Sequence, residues 1–189
     1  MQTSSRLRPR ANSWPRFTLL IGGVRSGKSR FAVDLAKRFK GRIVYLATCQ
    51  PKDREMRQRI AHHQQERPTQ WRTIEHPANL ASTLVRLDGR ADGAIVDCLT
   101  MYVSELLMGR KSDTAIQERV QQLCETIQTR PYPVIMVTNE VGSGVVPVHP
   151  LGRRFRDVAG LANQIAARCA DQVYVLVAGI PMLIKKPAR

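Results

Sequence analysis

The stretch FTLLIGGVRSGKSRFAVDLAKRF constrains this chain more than any other part of it. An apolar run ends in two glycines and an amphipathic run begins at a lysine, so a strand meets a helix through the pattern GxxxxGKS/T. Gly22, Gly23 and Gly27 let the backbone wrap tightly, with Val24, Arg25 and Ser26 between them. Such a wrap turns amide N–H groups inward, and the following helix adds the positive end of its dipole. The result is a cradle for phosphate. Lys28 is expected to reach the terminal phosphates of a nucleotide, and Ser29 to ligate Mg²⁺. A loop of this type needs an acid at the end of a neighbouring strand to hold the metal's water shell. Asp97, which closes AIVD, is the first choice, and Glu140, after VIMVTN, is the second. Asp97 also reads as an N-cap for the helix that follows it.

Short apolar runs alternate with longer amphipathic ones along the chain. Strands are expected at 17–21, 43–47, 72–75, 94–97, 133–138 and 172–178, with PMLIK (181–185) pairing at an edge. Helices are expected at 28–39, 52–66, 78–87, 99–108, 113–129 and 151–170. Several strands are apolar on consecutive residues, as required when both faces of a sheet are covered. The fold class is therefore α/β, of the P-loop NTPase type, with a mostly parallel central sheet flanked by helices. Catalytic groups should gather at the carboxyl ends of the strands.

The 189 residues suit one domain over 17–189, preceded by a disordered basic arm over 1–16. That arm, MQTSSRLRPRANSWPR, holds four Arg and no acid, and lacks the apolar core of a secretory signal. No apolar run is long enough to span a bilayer. The four cysteines show neither CxxC spacing nor a histidine at metal spacing, which fits a reducing cytoplasm. The formal charge of +15 comes from 30 basic residues, mostly Arg, spread along the whole chain. Without basic repeats interleaved with aromatics, it points to small anionic substrates, and no nucleic-acid partner is expected.

His62 and His63 stand side by side in RIAHHQQERP, where the expected helix ends. At about 100° per residue, His63 continues the face of Met56 and Ile60, and His62 turns away from it. A neutral imidazole can attack phosphorus and carry a nucleotidyl group, splitting one transfer into two. Taken alone, a histidine at a helix end is more often a capped or solvated residue than a nucleophile. His76 and His149, each beside a proline, read as loop residues, and Trp71 as core.

Three motifs in order carry a resemblance: GGVRSGKS, then HHQQERPTQWRTIE, then TNEVGSGVVP, joined by YLAT, VDCLT and RRFRDVAGLANQIAARCADQVYVLVAGIP. Together they closely resemble the bifunctional adenosylcobinamide kinase/adenosylcobinamide-phosphate guanylyltransferase family of cobalamin biosynthesis, over residues 19–181. The resemblance implies a RecA-like core, a homotrimer and two reactions. In the first, ATP or GTP phosphorylates adenosylcobinamide. In the second, GMP passes from GTP to adenosylcobinamide phosphate through a guanylylated histidine, giving adenosylcobinamide-GDP and pyrophosphate. It assigns His63 as the guanylyl carrier and the loop from Gly22 to Ser29 as the nucleotide cradle. It also implies nucleotide contacts at Ala47, Thr48, Cys49, Gln64, Gln65, Glu66, Arg67, Glu75 and Asp97. Cys49 replaces the family's Ser, weakening a hydrogen bond a hydroxyl would make. Gln64 and Glu66 depart from the Lys or Gly common in that turn. The segment VGSGVVPVHP (141–150) resembles a family loop that is expected to close over the corrinoid. The alternatives are a small-molecule kinase with an inert histidine pair and a basic P-loop regulator that binds nucleic acid.

Overall fold

The computed structural model describes residues 14–50, 54, 64 and 67–186. The helix expected over 52–66 lies outside them except for Arg54 and Gln64, both helical, and so does most of the expected arm. The elements run β1 (Phe17–Gly22), α1 (Lys28–Ala36), β2 (Ile43–Ala47), β3 (Arg72–Glu75), α2 (Leu80–Arg86), β4 (Gly93–Asp97) and α3 (Leu99–Met108). They continue with α4 (Asp113–Gln128), β5 (Val134–Asn139), α5 (Pro150–Cys169), β6 (Gln172–Val177) and β7 (Ile180–Lys185).

The strands form one sheet in the order β3-β2-β4-β5-β1-β6-β7. All neighbours are parallel except β7, which turns back antiparallel on β6 at the edge, as its short terminal run led one to expect. Alternate residues of the central strands feed two cores. Leu19, Leu46, Val96 and Met136 pack with α2 to α5 on one face. Leu20, Tyr45, Ile95 and Ile135 pack with α1, Phe39 and Trp71 on the other. Each fully buried side chain of this size contributes about 1.5–3 kcal/mol, so the apolar runs commit the strands to a sheet covered on both sides.

Local chemistry sets the helix ends. Asn79 caps α2 by accepting from the Ser82 amide, and Ser112 caps α4 by accepting from the Ala115 amide. Pro150 opens α5 at a position where a missing N–H is harmless. α1 stops at Ala36 rather than at 39 because the Arg38 and Phe39 amides reach back only three residues, to the Leu35 and Ala36 carbonyls. The elements expected at 43–47, 72–75 and 99–108 match to the residue, and the other described ones differ by one or two residues at an end. Trp14 packs edge-on against Phe39 with centroids 5.1 Å apart, so the chain joins the core three residues before β1.

Candidate functional site

Register brings the predicted residues together at the carboxyl edge of the sheet. Glu75, Ala47 and Asp97 stand abreast on β3, β2 and β4, and Gly22 lies beside Asn139 and Leu176. β1 is flanked by β5 on one side and β6 on the other, with connections leaving in opposite directions. That is the crevice where open α/β sheets take ligands.

The loop between β1 and α1 is held on three sides. A Cβ at Gly22 would collide with the Leu176 carbonyl oxygen, so only glycine fits against β6 there. Gly27 has φ 88° and caps α1 in the left-handed region, which glycine adopts without strain. The Gly179 amide, in the β6–β7 turn, donates to the Ser26 carbonyl at 3.1 Å, and the Glu140 amide donates to Gly22 O at 2.9 Å. Lys28 begins α1 and folds back over the loop, its Nζ donating to Gly23 O at 2.6 Å and Ser26 Oγ at 3.2 Å. Burial lowers its pKa below the ordinary lysine value, while Cys98 and Asp97 pull it back up. Ser29 follows on the first turn, partly exposed, while Val24 and Arg25 are exposed at the loop's crest.

Asp97 is not the cap of α3. Cys98 takes the N-cap position, and no side chain bonds into that helix end. The Asp97 carboxylate instead accepts the hydroxyl of Tyr45, a residue that the sequence did not single out. Burial, then the Asp97 charge, pushes the Tyr45 phenol well above its ordinary value, so it stays a donor. Thr48 stitches β2 to β4. Its hydroxyl accepts from the Cys98 amide at 2.6 Å and donates to the Cys98 carbonyl at 2.8 Å. Cys49, next in line, is partly exposed. Burial pushes the Cys98 thiol up to about 12, which keeps it protonated and unreactive at neutral pH.

Glu140, the second-choice acid, is committed to its own turn. Its carboxylate accepts from the amides of Gly142 and Ser143 and from the Ser143 hydroxyl. The segment that follows exposes Val145 and Val148 by 91% and 88%, and it is tied down where Arg156 donates to Gly142 O. Behind β5, the Asn139 amide donates to Thr100 Oγ1 and Thr138 Oγ1 donates to Asn163 Oδ1, which fixes the strand end to α3 and α5.

A second cluster sits at the β3 end. Gln64 Nε2 donates to Glu75 Oε1 at 3.1 Å, and Arg67 Nη1 lies 3.5 Å from the same oxygen. The Arg67 guanidinium stacks on the Tyr45 ring, 3.8 Å from its centroid. Two buried nitrogens here, Arg67 Nε and His76 Nδ1, have no hydrogen-bond partner among the described residues. His76, expected to be a plain loop residue, is held at φ 48° with its amide on Ala47 O. Trp71 packs against the α1-side core as expected. His62, His63, Gln65 and Glu66 lie outside the described residues.

Among the described residues no group of three or more His, Cys, Asp or Glu side chains could hold a metal alone. Ser29 and Asp97 would supply one hydroxyl and one carboxylate, the sparse hard-oxygen set that suits a cation carried in on phosphates. No described helix is long and apolar enough to cross a membrane.

Comparison with known proteins agrees with this architecture. A KaiC-like protein of Pyrococcus horikoshii superposes with a TM-score of 0.53 at 17% identity, over 84% of this chain and 69% of that one, a likeness of fold alone. The bifunctional adenosylcobalamin biosynthesis protein CobP of Pseudomonas aeruginosa is 43% identical over 88% of this chain and 96% of its own length. The corresponding CobU of Salmonella typhimurium is 42% identical over 88% of this chain and 98% of its own. The family model for cobinamide kinase / cobinamide phosphate guanyltransferase matches residues 18–184. With Lys28 and Asp97 at the sheet crevice and relatives this similar over nearly their whole length, the chain belongs to the cobinamide kinase / cobinamide phosphate guanyltransferase family.

Proposed function

We propose that this chain performs both reactions of its family over one phosphate cradle, phosphorylating adenosylcobinamide with ATP or GTP and then guanylylating the product. The observation that carries this reading is the arrangement around Lys28: a buried ammonium in a glycine loop, with Asp97 near enough to act on its charge. Lys28 and the loop amides of residues 22–29 bind and neutralise the triphosphate, the main source of acceleration in phosphoryl transfer. Ser29 and Asp97 would hold Mg²⁺, which would supply charge neutralisation at the phosphate oxygens. Ala47, Thr48 and Cys49, at the carboxyl end of β2, contact the nucleotide.

In the second reaction the His63 imidazole attacks the α-phosphorus of GTP. The N–P bond forms as the bond to pyrophosphate breaks. A phosphate oxygen of adenosylcobinamide phosphate then attacks the same phosphorus, and the N–P bond breaks. Support comes from the residues that flank His63 in the sequence. Gln64 bonds to Glu75, and Arg67 rests on the tyrosine that touches Asp97, so the turn after His63 meets the crevice. By family likeness Gln65 and Glu66 also contact the nucleotide. The segment 141–150 closes over the corrinoid, and its exposed valines suit an apolar ligand face.

In this reading 17–189 is one catalytic domain behind a basic arm, working in the cytoplasm as a homotrimer. The apolar edge strand β7, with Ile180, Met182 and Ile184 exposed, supports burial between subunits. The test is His63→Asn, assayed in both steps with α-labelled GTP. Covalent, acid-labile label should vanish while adenosylcobinamide phosphorylation largely survives. Label still bound to the variant would remove His63 from the role.

A further inference from the structure

Tyr45 lies in the middle of β2, and Asp97 ends β4. In register Tyr45 faces Ile95, so Asp97, two residues on, presents its side chain to the same face of the sheet. That face is the α1 side, where Tyr45 packs among Leu20, Ile95 and Ile135. A Phe or Leu would fill this volume as well and would bring no polar group that needs a partner. The Tyr45 hydroxyl spends itself on Asp97 Oδ2, a charge-assisted bond inside the fold. An aspartate carboxylate otherwise turns broadly about its last torsion. Held at Oδ2, its plane is set and Oδ1 is the oxygen left to meet a metal-bound water. From the other side the Arg67 guanidinium lies over the ring at 3.8 Å, with the Arg67 side chain only 8% exposed. The tyrosine therefore touches the acid of the phosphate half and the arginine that follows the histidine pair.

We propose that Tyr45 is a positioning residue for nucleotide chemistry: its hydroxyl orients Asp97 toward the metal carried by the nucleotide, and Arg67 fixes the ring. The inference rests on the reading of Asp97 as the acid that holds the metal's water shell. Tyr45→Phe keeps the ring, the stack and the packing and removes only the hydroxyl.

The measurement is equilibrium binding of a fluorescent GTP analogue to the full chain, once with Mg²⁺ and once with EDTA, for the parent, Tyr45→Phe, Asp97→Asn and the double variant. Thermal midpoints confirm that each folds. Tyr45→Phe should weaken Mg²⁺-dependent binding by about tenfold, the loss expected for one hydrogen bond to a charged group, and leave EDTA binding within about twofold. In the Asp97→Asn background it should add nothing. Equal loss with and without Mg²⁺, no loss at all, or a further loss in the double variant would each overturn the role. If Asp97→Asn leaves Mg²⁺-dependent binding intact, the metal reading of Asp97 falls and takes this inference with it. If Asp97→Asn weakens it and Tyr45→Phe does not, only the inference about Tyr45 falls.

Should Tyr45→Phe prove too unstable to purify, Asp97→Glu supplies the second route. Lengthening the side chain moves the carboxylate out of reach of the hydroxyl while keeping its charge. Mg²⁺-dependent binding should fall as it does in Tyr45→Phe, and full retention would count against the need for a fixed carboxylate.

Discussion

At the β1 end of the site the polar groups find partners inside the protein: Lys28 with Gly23 and Ser26, Gly179 with Ser26, Glu140 with Gly22. At the β3 end the Arg67 and His76 nitrogens are buried with none among the described residues, and Arg67 meets Glu75 only at 3.5 Å. A cradle braced by these bonds keeps its shape before any ligand arrives, so phosphate exchanges for the bonds Lys28 already makes and meets loop amides already in place. A buried nitrogen that found no partner would cost about 1–3 kcal/mol, which a bound polar ligand would relieve. The phosphate half is thus pre-built, and the β3 corner is the half that a bound polar ligand would change more.

The largest effect should follow from Lys28→Ala. If one cradle serves both reactions, adenosylcobinamide phosphorylation and GMP transfer should each fall by about a thousandfold. Rates of both steps on the purified variant check this. Survival of either at the parent rate would break the claim that the halves share their phosphate site. Next comes Arg67→Lys, which keeps the charge but loses the planar stack on Tyr45 and the forked donor set. The guanylyl step should suffer about tenfold more than the kinase step, seen chiefly as a raised KM for GTP. Equal losses in the two steps would erase the distinction between the cradle and the β3 corner.

How much of this was legible beforehand differs between the same two regions. The cradle could be read from residues alone, because glycine spacing, a strand before and a helix after define its backbone. The sheet order could not, since no residue in IVYLA or AIVD announces which strand it will pair with. That gap hid Tyr45, which looks like any aromatic of a buried strand until register sets it across from Asp97. Sequence ranked Asp97 before Glu140 but could not show that the Glu140 carboxylate closes its own turn. The capping role weighed for Asp97 passed to Cys98, whose backbone occupies the N-cap. The Arg67 and Glu75 contacts came from family likeness. Their pairing across the turn after the histidines has no periodic signature in sequence.

The smallest expected effect concerns how dry the cradle side is. Cys98 sits beside Asp97 with its thiol pushed by burial from the ordinary 9.0 to about 12. Between those values the folded chain keeps a proton that the unfolded chain has released, so stability falls as pH rises, and the contribution is intact only below about 9. Cys124, raised by burial in the other core, acts in the same direction. Lys28 acts oppositely: its lowered pKa makes the folded chain shed a proton early, which favours folding as pH climbs toward 10.5. The phenols of Tyr45, Tyr102 and Tyr132, also raised by burial, act with the thiols, so the groups opposing folding at high pH outnumber the one ammonium. Urea unfolding at pH 8 and pH 10 should therefore show a loss, with roughly 1 kcal/mol of it due to Cys98. Cys98→Ala should remove that share of the slope even though it lowers stability at both pH values. An unchanged slope in the variant would mean that water reaches the thiol, and that the cradle side is no drier than the β3 corner.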